Sequence, residues 1–334
     1  MENLALTKSK HLLPITAVLT AQGLPVKRLL KAANLPLNCL DDPDTLIPSV
    51  CAESFRKLAS QVTDRPSLLL QISQQFQFEG MGDPGRALLL EPTLRGAIDK
   101  FCELAAHETS NLIFDLCPQP NGDLWFGHRM LSQELLDSWH SNLYVLGWKL
   151  KAVRLADPAW SPVEILIRSK ATQERCEAIE MTGSTARLEQ TSTGFMVPAS
   201  MLALPVAKNS AQGVNKDVKP GPTLIPDSYA KSLKQVIRTY ASDGWLSVDE
   251  VSEVTGQSAR TLQRRLSMEQ DSYSHLVQQC RLEMAGDLLE NSNASIKDIA
   301  HQLGYSNQGN FTRAFYRWAK VLPSEFRKHR SNAH

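Results

Sequence analysis

Arg260, Gln263, Arg264 and Arg265 place three guanidinium groups and an amide within six residues, with no acid among them. Further along, Gln308, Asn310, Arg313 and Arg317 recur at helical spacing. Arginine can pair bidentately with guanine, and glutamine or asparagine with adenine, each pair discriminating by about 1–3 kcal/mol. The hydroxyls of Ser258, Ser306 and Thr312 nearby are of a type that meets phosphate oxygens. For any single arginine, a solvated helix face is the bland alternative. A pattern that occurs twice is harder to dismiss that way.

The elements that would position these side chains are legible. The first copy runs from Ser247 to Leu266 and the second from Ser295 to Phe315. Each opens with a capping pair, Ser247 with Glu250 and Ser295 with Asp298, in which a hydroxyl satisfies free first-turn amides and an acid faces the positive helix end. Val248, Val251 and Val254, or Ile296, Ile299 and Leu303, then form an apolar stripe. Gly256 or Gly304 ends the short helix where positive φ is least costly. Ser258 or Ser306 is expected to cap a second helix with an inner face of Leu262 and Leu266, or of Phe311, Phe315 and Trp318. Two short helices around a glycine turn read as a helix-turn-helix, the second helix keeping an outer face for the major groove. A helix from about Ser274 to Glu290 is the expected packing partner, with Leu276, Cys280, Met284, Leu288 and Leu289 on one face.

These residues resemble the AraC/XylS-type regulators over about residues 228–329. The matching strings are Ser258-Ala-Arg-Thr-Leu-Gln-Arg-Arg-Leu266, Arg281-Leu-Glu-Met-Ala-Gly-Asp-Leu-Leu289, Ile296-Lys-Asp-Ile-Ala-His-Gln-Leu-Gly-Tyr305 and Pro323-Ser-Glu-Phe-Arg327. The resemblance implies two helix-turn-helix units bridged by a long helix, with both recognition helices entering successive major grooves. It carries base reading to Arg260, Gln263 and Arg264, and to Gln308, Gly309, Asn310 and Arg313, with Ser258 and Ser306 beside them. Three positions depart from the pattern. Gly309 stands where a longer side chain often contributes, Lys320 replaces a glycine before the last helix, and Ser252 replaces a small alanine.

Before residue 205 the pattern is mixed. The apolar run Leu12 to Leu19, broken by Pro14 and Thr16, reads as a short packed helix rather than a signal peptide. Helical periodicity dominates from Leu24 to Leu70, with breaks at Pro36, Pro43 and Pro48, and Pro92 and Thr93 open a helix with Leu94, Ala97, Ile98, Phe101 and Leu104 on one face. Strands are expected at Asn111–Cys117 and Leu124–Met130 around an Asn-Gly turn, then a helix at Ser138–Ala156, a strand at Val163–Arg168 and a strand pair near Ala186–Val197. The Pro- and Gly-rich stretch from Leu204 to Pro226 reads as a linker. The expected architecture is thus an α+β domain (1–205), a linker (206–226) and an all-α domain (227–330) with two helix-turn-helix units, about 246–267 and 295–318, joined by a long helix.

The N-terminal part resembles the arabinose-binding/dimerisation type of domain found in one branch of the same family. Its matching residues are Gly23-Leu-Pro-Val26 with Leu29 and Leu30, Ile47-Pro48, Gly80-Met-Gly82, Glu91-Pro-Thr-Leu94, Gly194-Phe-Met-Val-Pro198, Leu202 and Pro205. The resemblance implies effector sensing and self-association without naming the effector. Phe114, Trp125, Phe126, Tyr144 and Trp148 would line a pocket or simply form core. The string Gly80 to Gly85 fits GxGxxG, but polar residues precede it and Asp83-Pro84 sits in it, so a glycine turn is the better reading.

Bulk properties narrow the classes. Net charge is +1 over 334 residues; residues 226–334 carry 14 Lys and Arg against 12 Asp and Glu, too even for a sequence-blind DNA-packaging protein. The six cysteines, Cys39, Cys51, Cys102, Cys117, Cys176 and Cys280, lie nowhere within four residues of one another, and the eight histidines form no HxxxH spacing. His107 and Glu108 read as surface groups on a helix. No stretch is long and apolar enough for a membrane span. The resulting expectation is a cytoplasmic, effector-responsive transcriptional activator rather than an enzyme, without cofactor or metal. Its expected partners are double-stranded promoter DNA, RNA polymerase, an unidentified small-molecule effector and a second copy of itself. The competing class is an enzyme fused to the same module, such as an adaptive-response alkyltransferase, which needs clustered zinc-binding cysteines.

Overall fold

The computed structural model describes residues 3–75, 77–180, 182–206 and 226–331. They fall into two compact units, one spanning residues 3–226 and the other formed largely from residue 227 onward. The expected linker lies almost wholly outside the described residues.

In the first unit, β1 (Leu6–Lys8), α1 (Leu13–Ala21) and α2 (Val26–Ala32) lead to β2 (Leu46–Pro48), which pairs antiparallel with β1. That ribbon was not expected. Three residues per strand give no alternation to read, and its pairing is set by distant packing. Next come α3 (Ser49–Thr63), α4 (Leu68–Gln75), α5 (Asp83–Leu89) and α6 (Leu94–Ala105). Thr93 caps α6 by accepting from the Gly96 amide at 3.3 Å, and Leu94, Ala97, Ile98, Phe101 and Leu104 are all buried as their spacing predicts. The GxGxxG string spans a 3₁₀ turn at Phe78–Met81 and the start of α5, so no strand precedes it.

A five-stranded sheet follows. β3 (Leu112–Pro118) and β4 (Leu124–Met130) form the expected hairpin, with Phe114 opposite His128. After α7 (Trp139–Val153) come β5 (Glu164–Leu166), α8 (Gln173–Glu180), β6 (Thr185–Arg187), β7 (Thr193–Val197) and α9 (Ala199–Leu202). The strand order is β3-β4-β7-β5-β6. This corrects the expected strand pair near 186–197: β6 and β7 are not neighbours. Instead β6 pairs in parallel with β5, the crossover being made through α8, while β7 inserts antiparallel between β4 and β5. The strand expected to start at Val163 starts at Glu164, leaving Val163 87% exposed.

Helix α7 is the central piece of this unit, with Leu143, Leu146, Leu150 and Val153 wholly buried. Its closeness to α4 depends on Gly147, where a Cβ would sit 2.8 Å from the Leu70 carbonyl and closer still to Ser73 Oγ. Lys149 is also fully buried, its ammonium donating to the carbonyls of Phe126 (2.8 Å) and Thr193 (3.1 Å). Glu108 corrects another expectation. It lies in a turn after α6, not on a helix, and is 7% exposed, held by Lys10 Nζ (2.9 Å), His11 Nε2 (3.2 Å) and Lys8 Nζ (3.3 Å). Its neighbour His107 is half-buried. Burial alone would raise the Glu108 carboxyl, but the His11 hydrogen bond and charge and the Lys10 ammonium outweigh it and hold the group down at about 2.

The second unit is helical throughout: α10 (Tyr229–Tyr240), α11 (Val248–Thr255), α12 (Ala259–Met268), α13 (Tyr273–Asn291), α14 (Ile296–Gln302), α15 (Gln308–Ala319) and α16 (Pro323–Ser331). The single-faced reading of α13 needs correction. Leu276 and Cys280 are buried toward its start, and Leu282, Ala285, Gly286 and Leu289 further on, whereas Met284 and Leu288 are only partly covered. The reason is its role: α13 touches α10, α14, α15 and α16, so a helix shared by several partners needs apolar residues on more than one side.

Candidate nucleic-acid interface

Each recognition helix is held by local chemistry that its sequence specifies. In the first unit the Ser247 amide donates to Glu250 Oε2 (2.7 Å) and the Glu250 amide to Ser247 Oγ (3.2 Å), a reciprocal capping box on α11. Gly256 then turns the chain at φ +67°, and Ser258 caps α12 by accepting from the Thr261 amide. Leu262 and Leu266 bury the inner face. Gln257 accepts from Tyr229 Oη at 2.6 Å, and Glu269 accepts from the Tyr229 and Ala230 amides, which ties the unit to α10. Ser252, the departure from alanine, turns its hydroxyl back to the Val248 carbonyl at 2.7 Å and so leaves no polar group stranded.

The second unit repeats the plan with two corrections. Ser295 caps α14 by accepting from the Asp298 amide, and Gly304 makes the turn at φ +77°. The cap of α15 is Asn307, not Ser306: Asn307 Oδ1 accepts from the Asn310 amide at 2.8 Å. Ser306 instead accepts from Asn310 Nδ2 at 2.9 Å. Phe311 and Phe315 are fully buried as expected, but Trp318, expected inside, is 44% exposed and only leans on Phe315 at 5.5 Å between ring centroids. It falls on the helix flank where α15 runs out of partners. Lys320 closes α15 at φ 59° and ψ 11°, the left-handed conformation its usual glycine would supply.

The outward side chains fall as the spacing predicts. Ser258, Arg260, Gln263 and Arg264 are exposed on α12, with Arg260 and Arg264 one turn apart. Ser306, Gln308, Gly309 and Arg313 are exposed at α15, while Asn310 is half-buried and accepts from Arg313 Nη2 at 2.7 Å. Among the described residues no acid forms an ion pair with Arg260, Arg264, Arg313 or Arg317. Arg265 departs from the expected set. It is half-buried with its guanidinium 5.3 Å from the Tyr229 ring centroid, so it braces α12 on α10 rather than facing outward.

The structure adds residues that spacing alone did not single out. Ser274, Gln278 and Arg281 of α13 share a groove with Asn310, Arg313 and Arg317, and no acid lines it. Arg281 stacks 4.8 Å from the Trp245 ring and 5.7 Å from the Tyr305 ring, fixing the aromatic that follows the Gly304 turn. The only sequence signal for it is an arginine among apolar positions of a helix.

The first unit holds a separate cavity of about 80 Å³, walled by α3, α6, α7 and β3. Of the five expected aromatics Phe114, Tyr144 and Trp148 line it; Trp125 and Phe126 do not. Among the described residues no helix is long and apolar enough to cross a membrane, and no three His, Cys, Asp or Glu side chains are grouped to hold a metal ion.

The chain thus has an α+β unit followed in sequence by paired helix-turn-helix units, whose outward cations have no acid partner among the described residues, the class of architecture that DNA-binding helices use. A family profile described as the N-terminal arabinose-binding domain of AraC transcription regulator matches residues 23–206, more than half of the chain, and one described as a helix-turn-helix domain matches residues 251–329. The chain belongs to the family of AraC transcription regulators.

It is 40% identical over 67 residues, 20% of each sequence, to the uncharacterized HTH-type transcriptional regulator Rv1395 of Mycobacterium tuberculosis. It is 30% identical over 137 residues to the transcriptional activator RhrA of Rhizobium meliloti, covering 40% of this chain and 42% of that one. The crystal structure of the transcriptional regulator CdpR from Pseudomonas aeruginosa aligns with 96% of this chain and 98% of that one at 17% identity, with a TM-score of 0.42. The chain therefore spans between a fifth and less than half of the length of these curated relatives.

Proposed function

We propose that the protein is a sequence-specific DNA-binding regulator of transcription, an effector-responsive activator that works in the cytoplasm. Residues 227–330 read the duplex. Residues 1–205 sense a small molecule and join two copies, and 206–226 link the two. Arg260, Gln263 and Arg264 on α12, and Gln308, Asn310 and Arg313 on α15, meet base edges, while Ser258 and Ser306 meet phosphates and Gly309 lets the backbone approach. The bound regulator recruits RNA polymerase, in keeping with the name of the relative RhrA as a transcriptional activator. Neither unit is assigned any catalysis.

One observation carries this reading: the cations on both outer helix faces are not neutralised by acids among the described residues. Side chains meant only for a solvated surface gain from nearby opposite charges, and these have none.

The test is selection of bound fragments from random duplex DNA, followed by binding of the selected site at fixed salt. Arg264→Ala and Arg313→Ala should each weaken the selected site by about ten-fold or more while changing random-sequence binding little. Equal losses on selected and random DNA would place these residues on phosphates and remove them from base reading.

A further inference from the structure

The cavity in the α+β unit combines an apolar wall with a few buried polar atoms that the fold leaves unused. Phe101, Leu104, Phe114 and Trp148 supply apolar surface. Against them stand three polar side chains, each more than nine-tenths buried: His11 (8% exposed), Ser49 (4%) and Arg56 (6%). Among the described residues, four atoms of this wall have no hydrogen-bond partner: His11 Nδ1, Ser49 Oγ, Arg56 Nε and Glu108 Oε2. Leaving such groups unpaired in a core costs stability. Of the four, Arg56 Nε and Ser49 Oγ carry protons to donate, and they point to an occupant with acceptor atoms.

The charge of the wall limits what that occupant can be. Arg56 has its guanidinium 4.9 Å from the Tyr144 ring centroid and one long hydrogen bond, 3.4 Å, to Ser141 Oγ. No carboxylate forms an ion pair with it among the described residues. Glu53, one turn away on α3, is engaged elsewhere, accepting from Ser138, from Ser141 (2.7 Å) and from His140 (3.1 Å). The acid in the wall, Glu108, has its Oε1 matched by Lys8 and Lys10, while its Oε2 lies 3.2 Å from His11 Nε2. Arg56 thus makes no direct ion pair: Ser141 Oγ bridges it to the Glu53 carboxylate, and its Nε is left free toward the cavity.

His11 restricts the occupant further. Its Nε2 lies 3.2 Å from the Glu108 carboxylate, which can only accept; the tautomer that suits this contact has the proton on Nε2 and a lone pair on Nδ1. A lone pair and the nearby Glu108 would repel a second negative charge on a ligand.

We propose that this cavity binds a small, short-chain monocarboxylate, with its carboxylate on Arg56 and Ser49 and its chain against Phe101, Phe114 and Trp148. The proposal rests on the effector-sensing reading above and gives that effector a chemical class. The small cavity, about 80 Å³, favours a short chain. Buried arginine suits a carboxylate because its planar fork matches the anion bidentately.

The experiment titrates the full chain with butyrate, followed by calorimetry, and repeats the titration with butyramide, succinate and octanoate. Butyrate should saturate one site per chain. Butyramide, the uncharged analogue of the same shape, should bind about ten-fold or more weaker because the charge-assisted bonds are lost. Succinate and octanoate should be weaker still, one by charge and one by length.

Arg56→Gln should weaken butyrate about as much as the amide substitution does. Because Arg56 is also a packing residue, Ser49→Ala and the cavity-filling Leu104→Phe provide independent variants, the first weakening and the second abolishing the heat of binding. Binding of butyramide as tight as butyrate, or butyrate binding unchanged in Arg56→Gln and Leu104→Phe, would overturn the proposal. So would the absence of saturable binding by any of these acids, which would mean that water alone satisfies the polar atoms.

DNA binding measured on the same samples separates the two readings. A chain that recognises its selected duplex but takes up no carboxylate loses this proposal and keeps its regulatory role. A chain that binds butyrate with no change in DNA affinity keeps the site and loses the effector reading.

Discussion

Replacing Gly304 with alanine attacks the turn that sets the angle between α14 and α15, and its size can be worked from the coordinates. At φ +77° an L side chain costs about 1–2 kcal/mol relative to glycine. The new Cβ would also lie 2.9 Å from Trp245 Cδ1 and 3.1 Å from Nε1. That ring cannot simply move aside, because Arg281 stacks on it at 4.8 Å. Adding a strained contact of about 1 kcal/mol gives a total loss of about 2–3 kcal/mol. Amide hydrogen exchange of the full chain, read over residues 295–319, is the assay. Exchange in the second helix-turn-helix should quicken by about 30- to 100-fold, at about 1.4 kcal/mol per ten-fold. Gly286→Ala is the matched control: it lies within α13 with nothing within 4 Å of a new Cβ, and should slow exchange by stabilising the helix about 0.5–1 kcal/mol. If Gly304→Ala leaves exchange in 295–319 as it was, or shifts it in the same direction as Gly286→Ala, the account of the turn is wrong.

Other outcomes follow from the same reasoning. Lys320→Gly should stabilise the second unit by about 1 kcal/mol, read as a raised urea midpoint, because it relieves the left-handed backbone at φ 59°; a lowered midpoint would show that the lysine side chain does more than occupy the turn. Asn307→Ala should cost about 1 kcal/mol through loss of the α15 cap, and Ser306→Ala much less, as read from exchange of the first-turn amides. For pH, burial and then the Lys149 charge push His128 well below its ordinary value, so the unfolded chain takes up a proton that the folded chain refuses. Stability of the first unit should therefore fall as pH drops below about 6.5, by up to about 1.4 kcal/mol per pH unit for this group, and His128→Gln should flatten the fall in urea midpoints between pH 7 and 5. Glu108, held at about 2, contributes stability that is lost only as pH falls below the ordinary carboxylate range, so it leaves that window untouched.

The helical unit was the more legible half because its signals are local. A capping pair, a stripe of apolar residues and a glycine all act within a turn or two, and Ser247, Gly256, Ser258, Ser295 and Gly304 do in the structure what their spacing predicts. The errors there came from competition between near-equivalent groups. Ser306 and Asn307 are adjacent good caps, and only the entry angle into α15 chooses between them. Trp318 and Arg265 continue their stripes in sequence but meet, respectively, too little and too much neighbouring surface.

The α+β unit was harder to read because its features are long-range. The β1–β2 ribbon joins residues some forty positions apart by three-residue strands, and the slot between β4 and β5 goes to β7 only after α8 has carried the chain across to β6. Glu108 looked like a surface group because its partners, Lys8, Lys10 and His11, lie far upstream. The cavity residues Ser49 and Arg56 gave no signal at all. A serine and an arginine on the amphipathic helix α3 are ordinary until the fold buries both beside His11.

The bridging helix α13 behaves as a gauge block. Its 19 residues give a rod about 28 Å long, somewhat less than the 34–36 Å of one duplex turn; buried side chains fasten α14 and α15 to it, and α10 packs against both it and α12. Distance and phase between the two reading heads are thus set by residue count. One residue inserted midway would swing the downstream head by about 100° and advance it by about 1.5 Å. On the function proposed above, a promoter read by both helices would have to be spaced for that fixed pitch.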